Sequence, residues 1–532
     1  MRLTNLSPNR ASDEPAEIYG YRPYLLSFSA AWASAMYGYD SAFIGTTLSL
    51  PSFIRAYGLN SADETNLSSN IVSTFQGGAF FGSLFGFFLA ERFGRKTTLA
   101  VAGVVFAIGV VLQLIGKIGL LYGGRVLTGL GVGGSAMILP IYISECSPAK
   151  IRGSLVGIFE VMLQIALVFG FWVNYGVNKN ISPDSDTQWH IPVAVQFIPV
   201  GMLLLSLGFI PESPRWLVSK SRRSQALRSL SWIRNLPEDH EYIQRELLVM
   251  EAGAQNDLES GEGWRHWTQL LRELSQKGVR NRLGISIAMM MLQNFTGINA
   301  INYYSPTIFK AIGFSGTSIQ LLATGVYGLV KMGATFVFVI VIVDRIGRRP
   351  ALLVGSIGAG FAMFYLAIYC KVSNSLNQTP PRDSGANAAI AMIYIYAVFY
   401  GFSWNGIPWL FTAETLPTRV RTLGMAISVC VQWLGQFIVV YSLPHMIKGI
   451  GYGTFLFFAC CIVLALLFAY FFIPETKGVA MEDMDLIFGP DVSIIARKAR
   501  QNYDLHYEQR LEVVLQNEKA HIQVEHAEHV DV

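Results

Sequence analysis

Four ionisable side chains stand inside stretches that are otherwise apolar: Asp40, Arg125, Glu160 and Lys331. In hydrocarbon each costs ~2.5–3.5 kcal/mol, so two acids and two bases placed there need a partner or a purpose. Glu160 and Gln164 fall on one helix face, because residues four apart lie one above the other. Lys331 lies among small and apolar neighbours, where it can balance Glu160, meet an anionic solute, or snorkel and touch neither. A second group is uncharged. Gln293, Asn294 and Asn299, with Asn302 close behind, crowd a single apolar run, and Gln432 and Gln436 share a face of another. Amides suit a hydroxylated ligand, since each offers donors and an acceptor without bringing a charge. The chemistry these residues suit is reversible recognition of a polyol.

Such residues need lipid-embedded elements to position them, and the composition supplies these. Of 532 residues 52% are hydrophobic and only 14% charged, far from soluble norms. Runs long enough to cross a core of about 30 Å recur, near 24–48, 70–90, 97–116, 119–142, 154–176 and 190–210, and again near 283–311, 318–343, 350–370, 388–412, 422–446 and 451–473. The expected fold is an all-α membrane protein of twelve transmembrane helices in two six-helix bundles. Its expected divisions are an N-terminal segment 1–23, a bundle 24–210, a linker 211–282 with short amphipathic helices, a bundle 283–473 and a tail 474–532. Lys and Arg gather after the even-numbered spans, which predicts cytoplasmic termini. The triplets beginning at Asn66, Asn180 and Asn377 then fall outside as candidate glycosylation sites. The first 23 residues hold no apolar run followed by a cleavage site, so the first span is expected to act as the insertion signal.

Several function classes drop out. A net charge of +4 spread over the loops makes no surface for nucleic acid. The five cysteines have neither metal-ligand nor disulfide spacing, and His521, His526 and His529 are read as part of a solvated tail. No cofactor or metal is expected. Gly129, Gly131, Gly133 and Gly134 sit inside an apolar span and follow no strand, so they are not a nucleotide fingerprint. No paired catalytic constellation is present, and an enzyme is not expected.

The halves answer each other. Glu91-Arg92-Phe93-Gly94-Arg95-Lys96 matches Asp344-Arg345-Ile346-Gly347-Arg348-Arg349, and Glu145 with Arg152 matches Glu414 with Arg421. Pro211-Glu212-Ser213-Pro214-Arg215 matches Pro474-Glu475-Thr476-Lys477-Gly478. Positive loops alone explain the bases. A carboxylate at a repeated offset from arginine suggests ion pairs that tie helix ends together on the cytoplasmic face and latch one conformation.

With these motifs, and with Gln293-Asn294-Phe295-Thr296-Gly297-Ile298-Asn299, the chain resembles the sugar porter family of the major facilitator superfamily from about 24 to 480. Within that family Gly38-Tyr39-Asp40-Ser41-Ala42-Phe43 and Gly170-Phe171-Trp172-Val173-Asn174-Tyr175 look most like the fungal quinate permeases. The resemblance implies that Asp40 of span one faces Arg125 of span four for proton coupling, a fixed structural pair being the alternative, and Glu160 is expected to join them in proton coupling. It also implies that Gln293, Asn294 and Asn299 line the site and that Trp409 stacks on the ligand, while Gln164, Gln432 and Gln436 are expected there from the helix faces they occupy. Sugar porters usually carry glutamine where this chain has Glu160. The expected function is import of quinate or a similar polyhydroxylated carboxylate by proton symport, with alternating access, at the plasma membrane and as a monomer. A hexose transporter is the alternative, and a non-transporting nutrient receptor a further one.

Overall fold

The computed structural model describes residues 15–506, apart from 60–62, 149–150, 259–263, 315, 340–344, 377–382, 418, 478 and 480–483. The first six spans are Tyr21–Thr47, Glu64–Phe93, Arg95–Gln113, Ile118–Cys146, Arg152–Asn180 and Thr187–Leu207. The second six begin with a two-piece span seven, Lys277–Phe295 and Ile298–Ala311, and continue with span eight, Thr317–Val337, and span nine, Arg348–Val372. Span ten is also in two pieces, Ser384–Gly401 and Ile407–Thr415, followed by span eleven, Arg421–Ile450, and span twelve, Gly453–Phe472.

Among the described residues nine helices are long and apolar enough to cross a bilayer. The three crossings outside that set are spans one, seven and eight, which carry Asp40, the amide cluster and Lys331. Three of the spans that contribute to the candidate site are therefore among those least like a lipid-facing helix. Elsewhere large apolar side chains point outward, Ile357 and Phe361 being 62% exposed, as a lipid environment requires.

The breaks in spans seven and ten have local causes. Gly297 adopts φ 92°, a conformation glycine takes without strain, and it separates the two pieces of span seven. Residues 402–406 form turns ahead of Pro408 near the start of the next piece. Backbone freed by a break must be satisfied inside the protein. Gln293 does this, its Nε2 donating to the carbonyls of Trp404 (2.8 Å) and Asn405 (3.0 Å).

Helices Pro214–Ser219, Arg223–Arg234 and Glu241–Leu258 build a small separate core around Ile18, Trp216, Leu230 and Leu247. Arg234 ties it to span four, donating to Glu246 (2.7 and 3.0 Å) and to the Cys146 carbonyl (2.8 Å). We call this side the linker face. The polar composition after Pro474 predicts a solvated tail, and part of it is instead docked there. Ile487 and Phe488 are buried, Asn502 Nδ2 donates to the Leu486 carbonyl (2.7 Å), and Arg500 Nη1 to that of Glu475 (3.1 Å). A few apolar anchors outweigh a polar average. His521, His526, His529 and the Asn377 triplet lie outside the described residues.

At the far face the two bundles touch. Asn178 Nδ2 donates to Ser318 Oγ (2.8 Å), His445 Nε2 lies 2.9 Å from Asn66 Oδ1, and a Cβ on Gly45 would come within 2.1 Å of the Tyr303 carbonyl oxygen.

Candidate functional site: a polar chamber between two bundles

Side chains from both bundles meet at mid-depth. Span one supplies Tyr37 and Ser41, span five Glu160, span seven Gln293, Asn294, Asn299 and Asn302, and span eight Lys331. Tyr400, Asn405 and Trp409 come from span ten and Gln432 from span eleven, and together these side chains line one cavity. A second cavity shares Glu160 and Trp409 with the first and reaches Arg348 and Glu414 on the linker face. Trp409 therefore stands at a junction, its ring 6.0 Å from that of Phe159.

The amides spend their donors on one another and on the backbone. Asn294 Nδ2 reaches the carbonyls of Met290 (2.8 Å) and Gln432 (3.1 Å), and its Oδ1 accepts from Asn299 Nδ2 across the break (2.6 Å). Gln432 Nε2 donates to Gln436 Oε1 (3.2 Å), and Gln436 Nε2 to the Tyr303 hydroxyl (3.0 Å). Among the described residues the Oε1 atoms of Gln293 and Gln432 are left without a hydrogen bond. Unused acceptors beside a cavity suit a ligand rich in O–H donors.

The two buried charge groups differ. Asp40 and Arg125, both fully buried, bond directly to each other. Arg125 Nε also donates to the Ile71 carbonyl (3.2 Å), and its guanidinium lies 4.8 Å from the Phe75 ring. Asp40 Oδ2 and Arg125 Nη2 have no hydrogen bond among the described residues. Neither residue lines the chamber. Ser41, next to Asp40, does, and its hydroxyl accepts from Tyr303 (3.3 Å). Glu160 and Lys331 both line the chamber. Glu160 Oε1 accepts from Gln164 Nε2 (2.8 Å) and from Asn405 Nδ2. Lys331 Nζ makes no hydrogen bond among the described residues; it lies 5.8 Å from the Tyr400 ring and feels Glu160 through space. Gln164 and Gln436 stand behind this surface, holding Glu160 and Tyr303.

Tyr37, Ser41, Tyr400 and Asn405 were not singled out from sequence. Tyr37 and Ser41 are one helical turn apart on span one. Asn405 lies in a Ser-Trp-Asn-Gly interruption of an apolar run, the pattern of a discontinuous helix at a binding site.

On the linker face the repeated motifs build the same structure twice. Arg95 Nη2 and Nε meet Glu145 at 3.0 and 3.1 Å, with Glu91 at 3.6 Å, and Arg348 Nη2 meets Glu414 at 2.9 Å. Each of these pairs stays inside one bundle. Glu212 and Glu475 do not pair with arginine side chains in the expected way. Glu212 accepts from the backbone N–H groups of Arg95 (2.9 Å) and Lys96 (3.1 Å), and Glu475 from those of Arg348 and Arg349 (3.0 Å each). The acid is a cap, placed where the orphan donors and dipole of a helix N-terminus favour negative charge. Burial pushes the Glu212 carboxyl above the usual range, and the amides of Ser213, Lys96 and Arg95 pull it back. Gly94 (φ 100°) and Gly347 (φ 99°) make room, since a Cβ there would lie 2.4 or 2.5 Å from a capping carboxylate oxygen.

The remaining motif residues are peripheral. Arg92 is exposed over the Phe93 ring and Arg215 is exposed in Pro214–Ser219. Arg152 opens span five, Arg345 accepts at its carbonyl from Lys477 Nζ (2.6 Å), and Arg421 donates to the Leu416 carbonyl (3.2 Å). Asp344 lies outside the described residues.

Residues 26–488 match the family model described as "Sugar (and other) transporter". The chain belongs to this sugar transporter family. It is 43% identical to the quinate permease of Emericella nidulans over 481 residues, covering 89% of this chain and 90% of that one. It is 44% identical to a protein of Aspergillus terreus named "Probable quinate permease", covering 92% and 90%. Among solved structures it resembles the proton:xylose symporter XylE bound to 6-bromo-6-deoxy-D-glucose, with TM-score 0.73 and 26% identity over 88% of this chain and 99% of that one. It also resembles XylE of E. coli in a partially occluded inward open conformation, with TM-score 0.71 and 26% identity over 86% and 99%. This sugar transporter family member is thus a multi-pass secondary transporter of the major facilitator fold and not an enzyme.

Proposed function

We propose that the chain imports quinate or a similar carboxylated polyol by proton symport. The observation that carries this reading is the Lys331 ammonium, which faces a chamber of unused amide acceptors and has no hydrogen-bonded partner among the described residues. A positive point charge there suits a carboxylate, and the acceptors suit ring hydroxyls. The names of the quinate permease relatives support the same solute. In this reading Gln293, Asn294, Asn299 and Gln432 meet the hydroxyls, Gln164 and Gln436 hold the side chains that do, and Trp409 covers the ligand.

Asp40 is the proton site. Its Oδ2 makes no hydrogen bond among the described residues while its other oxygen holds Arg125. Protonation weakens that pair and frees Arg125, so the proton affinity of Asp40 depends on which conformation places Arg125 against it. The linker face is cytoplasmic, the Asn66 and Asn180 triplets lie outside, and the monomer works in the plasma membrane. The Arg95–Glu145 and Arg348–Glu414 clusters brace each bundle here and act as the latch, exchanging partners when the bundles rock together on this side.

One observation favours a neutral hexose instead: Glu160 supplies a negative charge that can balance Lys331 without any substrate. Uptake by the Lys331→Met variant separates the two readings. Loss of quinate uptake with hexose or inositol uptake unchanged from wild type supports the carboxylate reading, and equal retention of quinate transport removes it.

A further inference from the structure

Among the described residues lining the chamber, Glu160 is the one acid and Lys331 the one base. With both ionised the empty chamber is neutral. A carboxylated polyol entering it adds one negative charge, and an uncompensated charge in a confined site is costly. We propose that Glu160 takes up a proton whenever such a solute binds, as a second, substrate-linked proton separate from the one at Asp40. The inference rests on the substrate reading above and adds to it how substrate charge is balanced.

The geometry favours Glu160 as the acceptor. Only its Oε1 is engaged, by Gln164 and Asn405; Oε2 makes no hydrogen bond among the described residues. An O–H bond formed at Oε2, with a proton from the aqueous phase, changes that atom from acceptor to donor and gives Glu160 the donor and acceptor pattern of a glutamine. The donor can then meet a substrate hydroxyl. Lys331, released from its counter-charge, pairs with the substrate carboxylate. No bond of the solute changes, and the proton is returned when the solute leaves. Glu160 also lines the second cavity, so exchange with water on the linker face needs no relay through Asp40.

The other ionisable groups facing Glu160 are Lys331 from span eight, Tyr37 from span one and Tyr400 from span ten. Arg348 and Glu414 stand at the far end of the second cavity. None of them offers a second carboxylate inside the chamber.

Calorimetric titration of the purified full-length protein with quinate, in two buffers of different ionisation enthalpy, counts protons taken up per ligand. Wild type is expected to exceed Glu160→Gln by about one proton per quinate, and Asp40→Asn to exceed Asp40→Asn/Glu160→Gln by the same amount. Wild-type quinate affinity should weaken by about tenfold per pH unit on the alkaline side, against no such slope for inositol, a neutral cyclitol. Equal proton uptake with and without Glu160 would overturn the proposal. Should Glu160→Gln not fold, identical pH slopes for quinate and inositol on wild type would overturn it as well. Quinate binding that is absent, or indifferent to Lys331→Met, would instead bring down the substrate reading and this inference with it.

Discussion

Asp40–Arg125 and Glu160–Lys331 are both acid–base couples at membrane depth, yet they are built in opposite ways. The first lies within one bundle, between spans one and four, and its members are fully buried and in direct contact. The second spans the gap between bundles, from span five to span eight, and both members face a cavity without bonding each other. A contacting pair sealed from water gains most from its own attraction and loses most when one partner goes. A separated pair facing a chamber can exchange its partner for a ligand. The first arrangement suits a proton switch inside a bundle, the second a substrate site that opens and closes with the bundles.

The largest effect that would sharpen this contrast is on stability. Arg125→Leu leaves Asp40 buried and uncompensated, so a loss of ~3–5 kcal/mol is expected, read as a collapse of folded, monodisperse protein in a detergent thermal-stability assay. Lys331→Met in the same assay should stay close to wild type, because the chamber gives Glu160 access to a proton. Similar losses in the two variants would erase the distinction between the couples.

The next effect is on recognition. A charge-assisted contact is worth ~1.5–3 kcal/mol, so Lys331→Met should weaken quinate binding by roughly 10- to 100-fold, measured by titration, with little change for inositol. Arg125 variants that still fold should lose proton-driven accumulation more than equilibrium binding. The reverse pattern would exchange the roles assigned to the two couples.

The smallest effect concerns the linker face. Glu212→Ala and Glu475→Ala each remove a helix cap, worth ~1 kcal/mol, and should lower the thermal midpoint slightly and by similar amounts in the two halves. A large loss of transport from either one, with stability intact, would show that the cap is also part of the moving latch.

Much of this architecture is legible in the sequence, for a definite reason. Lipid-exposed backbone must be satisfied within its own helix, so apolar runs mark the spans, and charges inside them, such as Asp40 and Lys331, are conspicuous. The repeated Gly-Arg motifs are equally visible. What sequence does not carry is where a helix breaks and what turns inward at the break. Asn405 enters the site because residues 402–406 interrupt span ten and Gln293 reaches across to hold them, a tertiary contact with no periodic signal. Glu212 and Glu475 were legible as acids near arginines, but their bonding to backbone amides depends on how Pro211 and Pro474 bring the chain back beneath spans three and nine. The docking of Ile487 and Phe488 was hidden in a polar average.

The central claim is that the chamber carries a carboxylated polyol together with protons. Its most direct test is uptake of labelled quinate into sealed proteoliposomes with the outer pH lowered, with lumenal pH recorded at the same time. The account expects quinate to accumulate above its outside concentration while the lumen acidifies, with both signals strongly reduced by Asp40→Asn and the quinate signal strongly reduced by Lys331→Met. Quinate that fails to enter, or that enters only to equilibrium with no proton movement in wild type, would contradict it.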